Sequence, residues 1–260
     1  MGGGPKCTEP RALREARAGA GVAQRIVSLM PPHELYIEAF AGLAAVGRLK
    51  RPAACDVFVE RDVHRASSLL TMLPASARLV IGDVMQVIAP ERVPADAVVY
   101  CDPPYLMSVR RSSRQYYRHE LVDETQHERF LAWACRLPCR VLISGYASAL
   151  YDSKLSGWRV VQFSAQTRGG TATETVWCNF PEPAELHDTR YVGDGFRERE
   201  RIRRKVTRWV HRLEKLPLAE RAVILAAFDD AGLPRRATPS PAASSKMAML
   251  DPGRRHHRQK

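Results

Sequence analysis

Val-Val-Tyr-Cys-Asp-Pro-Pro-Tyr-Leu, residues 98–106, starts as an apolar, β-rich run and ends on a carboxylate, two prolines and an aromatic residue. The first four residues read as a strand buried on both faces. Asp102 ends that reading, because a buried carboxylate is costly unless paired, and Pro103 and Pro104 give up ladder hydrogen bonds. The stretch is therefore a core strand whose tip holds a carboxylate on a stiffened turn.

Outward from this strand, short β-branched segments alternate with helix-like stretches. Strands are expected at 35–40, 55–59, 79–81, 97–101, 140–144, 159–164 and 175–180. Amphipathic helices are expected at 22–29, 44–49, 63–72 and 125–136, the last preceded by Asp123 and Glu124, where a helix N-terminus favours negative charge. The pattern predicts an α/β fold, a seven-stranded mostly parallel sheet with helices on both faces, closed by a C-terminal β-hairpin turning near Gly169-Gly170. Past Pro183 the composition shifts. Ile202, Val206, Trp209, Leu213 and Leu216 mark one apolar stripe on an arginine-rich helix over 196–221, and a second helical stretch runs over 218–228. Residues 234–260 read as a disordered basic tail.

With 260 residues, 45% of them hydrophobic, the chain can bury one sizeable core. No long apolar run or leader pattern is visible, which predicts a cytoplasmic, non-membrane protein, expected to be a monomer. The six cysteines are scattered through apolar segments, so neither a disulfide framework nor a metal site is expected, although Cys135 and Cys139 are spaced to share a helix end. A formal net charge of +12 calls for an anionic partner, for which nucleic acid is the leading class.

In open α/β sheets, ligands bind beyond the carboxyl ends of the strands. The first four strands all end on acidic or glycine-bearing turns: Glu38 to Gly42, Glu60 to Asp62, Gly82-Asp83, and Asp102 to Tyr105. Singly, Gly42 reads as a plain turn and Glu60 or Asp83 as a helix cap. Their recurrence on successive tips marks one rim as the site.

These residues carry a resemblance to the Dam-like adenine-N6 DNA methyltransferases of bacteria and their phages. Glu38-Ala39-Phe40-Ala41-Gly42 resembles the family's E-P-F-x-G cofactor motif, and Asp102-Pro103-Pro104-Tyr105 matches its D-P-P-Y catalytic motif. Leu142 to Tyr146 with Leu150-Tyr151, and Trp177 to Phe180, are also similar to phage-type members; the likeness covers about residues 19–181. It implies a Rossmann-like class I methyltransferase domain over 19–183, a flexible segment over 1–18 and a basic helical extension over 184–233.

The resemblance also implies S-adenosylmethionine as cofactor and DNA as partner. Asp102, Pro103, Pro104 and Tyr105 are then catalytic: Asp102 and the Pro103 carbonyl accept the hydrogens of an adenine amino group, the prolines stiffen the turn, and Tyr105 stacks on a base flipped from the duplex. Glu38, Phe40, Gly42, Glu60, Asp62, Asp83 and Asp102 form the cofactor set. Glu38 is expected at the ammonium group, Glu60 at the ribose hydroxyls with Asp62 as its rival, and Asp83 near the cofactor's adenine. The basic and aromatic stretch after the catalytic turn, with Arg110, Arg111, Arg114, Tyr116, Tyr117 and Arg118, is expected to face DNA.

The departures are specific. Ala39 replaces the family's proline, Ala44 its second glycine, and Gly19-Ala20-Gly21-Val22 lacks the lysine of the early Gly-Lys motif. About 18 residues separate Asp83 from Asp102, too few for a separate target-recognition domain. An RNA guanine-N2 methyltransferase and a nucleic-acid-binding module without turnover are the competing readings.

Overall fold

The computed structural model describes residues 21–104, 123–167 and 170–231. Its sheet comprises β1 (Leu35–Ala39), β2 (Cys55–Glu60), β3 (Arg78–Ile81), β4 (Val98–Cys101), β5 (Arg140–Gly145), β6 (Arg159–Thr167) and β7 (Gly170–Cys178). The seven strands lie in the order β3-β2-β1-β4-β5-β7-β6. The first five are parallel, and β7 runs antiparallel between β5 and β6. The helices are α1 (Val22–Val27), α2 (Val63–Leu70), α3 (Val84–Val87), α4 (Glu124–Cys135), α5 (Ala149–Lys154), α6 (Phe196–Glu214) and α7 (Leu218–Asp230).

Every residue of β1, β2 and β4 is buried, the continuous pattern of strands covered on both faces. One face packs Ile37, Val57, Val99 and Ile143 against Phe130, Leu131 and Ala134 of α4. The opposite face packs Tyr36, Phe58, Val98 and Tyr100 against Ile26 and Val27 of α1. The expected mostly parallel, seven-stranded Rossmann-like architecture with its antiparallel hairpin is therefore present.

Three expectations are corrected. The 44–49 stretch makes turns rather than a helix: Ala44 adopts φ 50°, and the Gly47 amide leaves the helical ladder to donate to Glu38 Oε2 at 2.7 Å. The hairpin strands run on towards the turn, reaching Thr167 and starting again at Gly170, because they bond to each other along their full length. Two short helices, α3 and α5, were not expected; they open on Asp83 and Ser148, whose side chains accept the amides of Met85 at 3.0 Å and Tyr151 at 3.3 Å.

At the amino end of the sheet lies a polar cluster without a signal in the periodicity. Lys50 is fully buried and donates to Asp56 Oδ1 at 2.6 Å and to the Arg51 carbonyl at 3.0 Å. Burial lowers its ammonium pKa while Asp56 opposes the shift. Asp188, also buried, accepts the Arg51 amide at 3.0 Å and the Arg190 guanidinium at 2.6 Å, tying the segment after β7 to the body. Beyond it α6 and α7 contain no buried residue. No helix among the described residues is long and apolar enough to cross a membrane.

Candidate active site

The order of the strands reverses between β1 and β4: from β1 the chain steps outward to β2 and β3, then returns to the other side of β1 as β4. Register sets the tips in line. Ala39 pairs with both Val59 and Cys101, so Phe40, Glu60 and Asp102 leave three adjacent strands at one level. Such a reversal opens a crevice at the carboxyl ends.

The turn after β1 has an unusual backbone. Phe40, Gly42 and Ala44 all take positive φ, at 63°, 53° and 50°. For the two non-glycine residues this costs about 1–2 kcal/mol each, so the surroundings must enforce it. Phe40 is held by the edge of Phe130, with ring centroids 5.3 Å apart. The Gly42 amide donates to Glu60 Oε2 at 2.8 Å, and Oε1 of the same carboxylate accepts the Asp62 amide at 2.8 Å. From inside, Glu38 Oε2 accepts the Tyr36 hydroxyl at 2.9 Å and the Gly47 amide. A Cβ on Gly47 would overlap the Phe58 ring and the Glu38 carboxylate, so only glycine fits there.

Glu38 is 3% exposed, and burial pushes its carboxyl up to about 8, against the Tyr36 and Gly47 hydrogen bonds and with a further push from Asp102. Asp62 and Asp83 are helix caps: Asp62 accepts the amides of His64 at 2.9 Å and Arg65 at 3.2 Å, and Asp83 faces Arg61 at 3.6 Å while capping α3. The Asp62 carboxyl lies below its usual range, held there first by the Arg65 amide.

Asp102 stands on the rim as an exposed residue. Partial loss of hydration pushes its carboxyl up to about 6, with the Ser144 hydroxyl opposing. Ser144 Oγ reaches Asp102 Oδ1 at 3.2 Å and the Tyr100 hydroxyl at 2.9 Å, making a three-residue polar chain from core to rim. Pro103 is buried and Pro104 half-buried, so the turn is anchored.

Glu38, Phe40, Gly42, Glu60, Asp62, Asp83 and Asp102 thus lie on the tips of four neighbouring strands, in different settings: Glu38 sealed, Glu60 clasping the glycine turn, Asp62 and Asp83 capping, Asp102 open. Tyr105, Arg110, Arg111, Arg114, Tyr116, Tyr117 and Arg118 lie outside the described residues, as do the 1–18 segment and the 234–260 tail. Sequence reasoning missed Tyr100, Ser144 and Gly47. The available signal was polarity inside otherwise apolar strands at alternate positions, which placed Tyr100 and Ser144 on one face. Among the described residues no three acidic, histidine or cysteine side chains are grouped to hold a metal ion.

No protein-family model matches the chain, and no curated protein matches it in sequence. Solved structures resemble it in chain trace. Magnesium protoporphyrin IX methyltransferase from Synechocystis PCC 6803, with S-adenosylmethionine bound, aligns at 11% identity over 68% of this chain and 87% of its own, with a TM-score of 0.45. The N-methyltransferase NodS of Bradyrhizobium japonicum aligns at 10% identity over 67% and 100%, TM-score 0.45. An rRNA methylase from Streptococcus thermophilus aligns at 11% identity over 66% and 98%, TM-score 0.40. All three TM-scores lie below 0.5, so these likenesses add nothing to the chain's own strand order, which is Rossmann-like.

Proposed function

We propose that the chain methylates the N6 amino group of adenine in DNA, with S-adenosylmethionine as donor and the target base flipped out of the duplex to lie beside Asp102. The supporting observation is the placement of Asp102-Pro103-Pro104 directly beside the glycine turn of β1, at the point where the sheet order reverses. The residues present suit such a cofactor. A Cβ on Gly42 would meet nothing closer than the Phe40 carbonyl at 3.9 Å, so the backbone there is open to a ligand, and Glu60 supplies acceptors to the same spot.

Bound there, the cofactor supplies a methyl group activated by a sulfonium. Glu60 would accept its ribose hydroxyls, Gly42 would admit its methionine portion, Phe40 lines the turn, and Asp83 would lie near its adenine. Asp62 supports the neighbouring helix. Glu38 braces the turn from below, and the ligand's ammonium is the charge that would return it to the carboxylate form.

An adenine amino group is a poor nucleophile because its lone pair is delocalised into the ring. Asp102 and the Pro103 carbonyl accept its two hydrogens, favouring the tetrahedral geometry in which the lone pair is available, and the prolines keep both acceptors from relaxing away. Tyr105 stacks on the extruded base. Arg110, Arg111, Arg114, Tyr116, Tyr117 and Arg118, next in the sequence, are the candidate DNA contacts.

Purified protein incubated with radiolabelled S-adenosylmethionine tests this reading. We expect label in N6-methyladenine of duplex DNA, lost by at least about a hundredfold in Asp102→Ala, the scale of removing one organising group, with cofactor affinity by calorimetry retained. Label in guanine of structured RNA would select the competing enzyme, and absence of cofactor binding would leave only a binding module.

A further inference from the structure

Helix α6 has no role in the rim of strand tips around Asp102. Over Phe196–Glu214 it carries seven arginines and one lysine against three glutamates, and it buries nothing. The charges are ordered. Arg197, Arg201, Arg204, Arg208 and Arg212 recur at intervals of three or four, so they share one face, while Ile202, Val206 and Leu213 face away from it. No glutamate falls on that stripe. Its 15 residues of rise span about 22 Å, the axial length of roughly six base pairs.

The helix has a defined root. Asp194, just before it, pairs with Arg25 of α1 at 2.5 Å, and a Cβ on Gly21 would come within 4.0 Å of the Arg199 guanidinium. Helix α1 packs on the same face of the sheet as Tyr100, whose hydroxyl leads through Ser144 to Asp102. The stripe therefore springs from the flank of the body that carries the Asp102 network.

We propose that α6 is a backbone-docking arm whose arginine stripe binds the phosphates of a nucleic-acid duplex. Arginine suits that role, since its planar fork donates to two phosphate oxygens at once. The ion pairs of Arg201 with Glu198 at 3.2 Å and of Arg204 with Glu200 at 2.9 Å are exposed, contribute little, and exchange readily for phosphate. The choice of DNA as the duplex rests on the function proposed above.

The experiment compares the full chain with the quadruple variant Arg201→Gln, Arg204→Gln, Arg208→Gln, Arg212→Gln, binding a labelled 30-base-pair DNA across a salt series. Glutamine keeps helix propensity, and circular dichroism checks the fold. If each arginine neutralises one phosphate, the slope of log affinity against log salt becomes shallower by about 3.6. An unchanged slope overturns the proposal. So does a result in which the substitutions abolish capture by phosphatidylserine vesicles and leave DNA binding intact, which would make α6 a membrane-surface helix. Slope loss without any methyl transfer would sink the enzymatic reading and leave the arm standing; methyl transfer with an unchanged slope would do the reverse.

Discussion

The sheet body and the α6–α7 extension are built on opposite principles. In the body, strands β1, β2 and β4 bury every side chain, and their charged residues Glu38, Asp56 and Glu60 each accept hydrogen bonds, Asp56 from Lys50. In the extension no residue is buried: Phe196 is 75% exposed and Trp209 52%, and the helices rest on local propensity and on i,i+3 or i,i+4 pairs such as Arg201 with Glu198. Tertiary burial holds the first and short-range backbone preference the second. The body can thus enforce strained geometry such as the left-handed Phe40, whereas the extension can only present a surface.

Four substitutions would break or sharpen this contrast. The largest effect is expected for Trp177→Ala, which empties a fully buried site facing Tyr151; denaturant unfolding should show a loss of about 3–5 kcal/mol. Next is Glu38→Gln. The carboxyl is raised from 4.5 to about 8 in the folded chain, so the folded state holds the extra proton between those values. Its stabilising contribution is complete below pH 4.5 and is lost as pH rises through 8, with a slope of up to about 1.4 kcal/mol per pH unit. Unfolding measured from pH 5 to 8 should show that slope in the native chain and not in the variant; equal slopes would reassign the Glu38 shift.

Ser144→Ala removes the hydroxyl that opposes the upward shift of Asp102. Methyl transfer should fall on the acid side of about pH 6 in the native chain, where Asp102 is protonated and no longer accepts, and the variant's acid limb should move to higher pH. At neutral pH the loss should be about tenfold or less, the scale of one hydrogen bond. A limb that stays in place would reduce Ser144 to a packing role. The smallest effect belongs to the extension, where Phe196→Ala should change stability by less than about 0.5 kcal/mol. A loss above 1 kcal/mol there would show that α6 is packed against something that supports the body.

Much of the fold was legible because its signals are local. Continuous apolar runs at Tyr36-Ile37 and Val98 to Cys101 announce doubly covered strands, and Asp123 opens the expected helix by accepting the Gln126 amide. The stretch from Ala44 to Leu49 misled because its apolar spacing fits a helix equally well. A carboxylate nine residues upstream decides otherwise by taking the Gly47 amide, and no window of periodicity contains both partners. The rim was legible as acids on strand tips; the division of labour among them was not.

By itself the sequence determined the α/β class, the ends of the first four strands to within one residue, and the stiff Asp102-Pro103-Pro104 tip, since all three follow from residue type and near-neighbour spacing. Only the tertiary structure decided that Glu38 is sealed and Asp102 open, that Glu60 clasps Gly42, and that Tyr100 and Ser144 lead from the core to the rim. The physical reason is that burial, and with it the protonation and availability of a carboxylate, depends on strands brought together from distant parts of the chain.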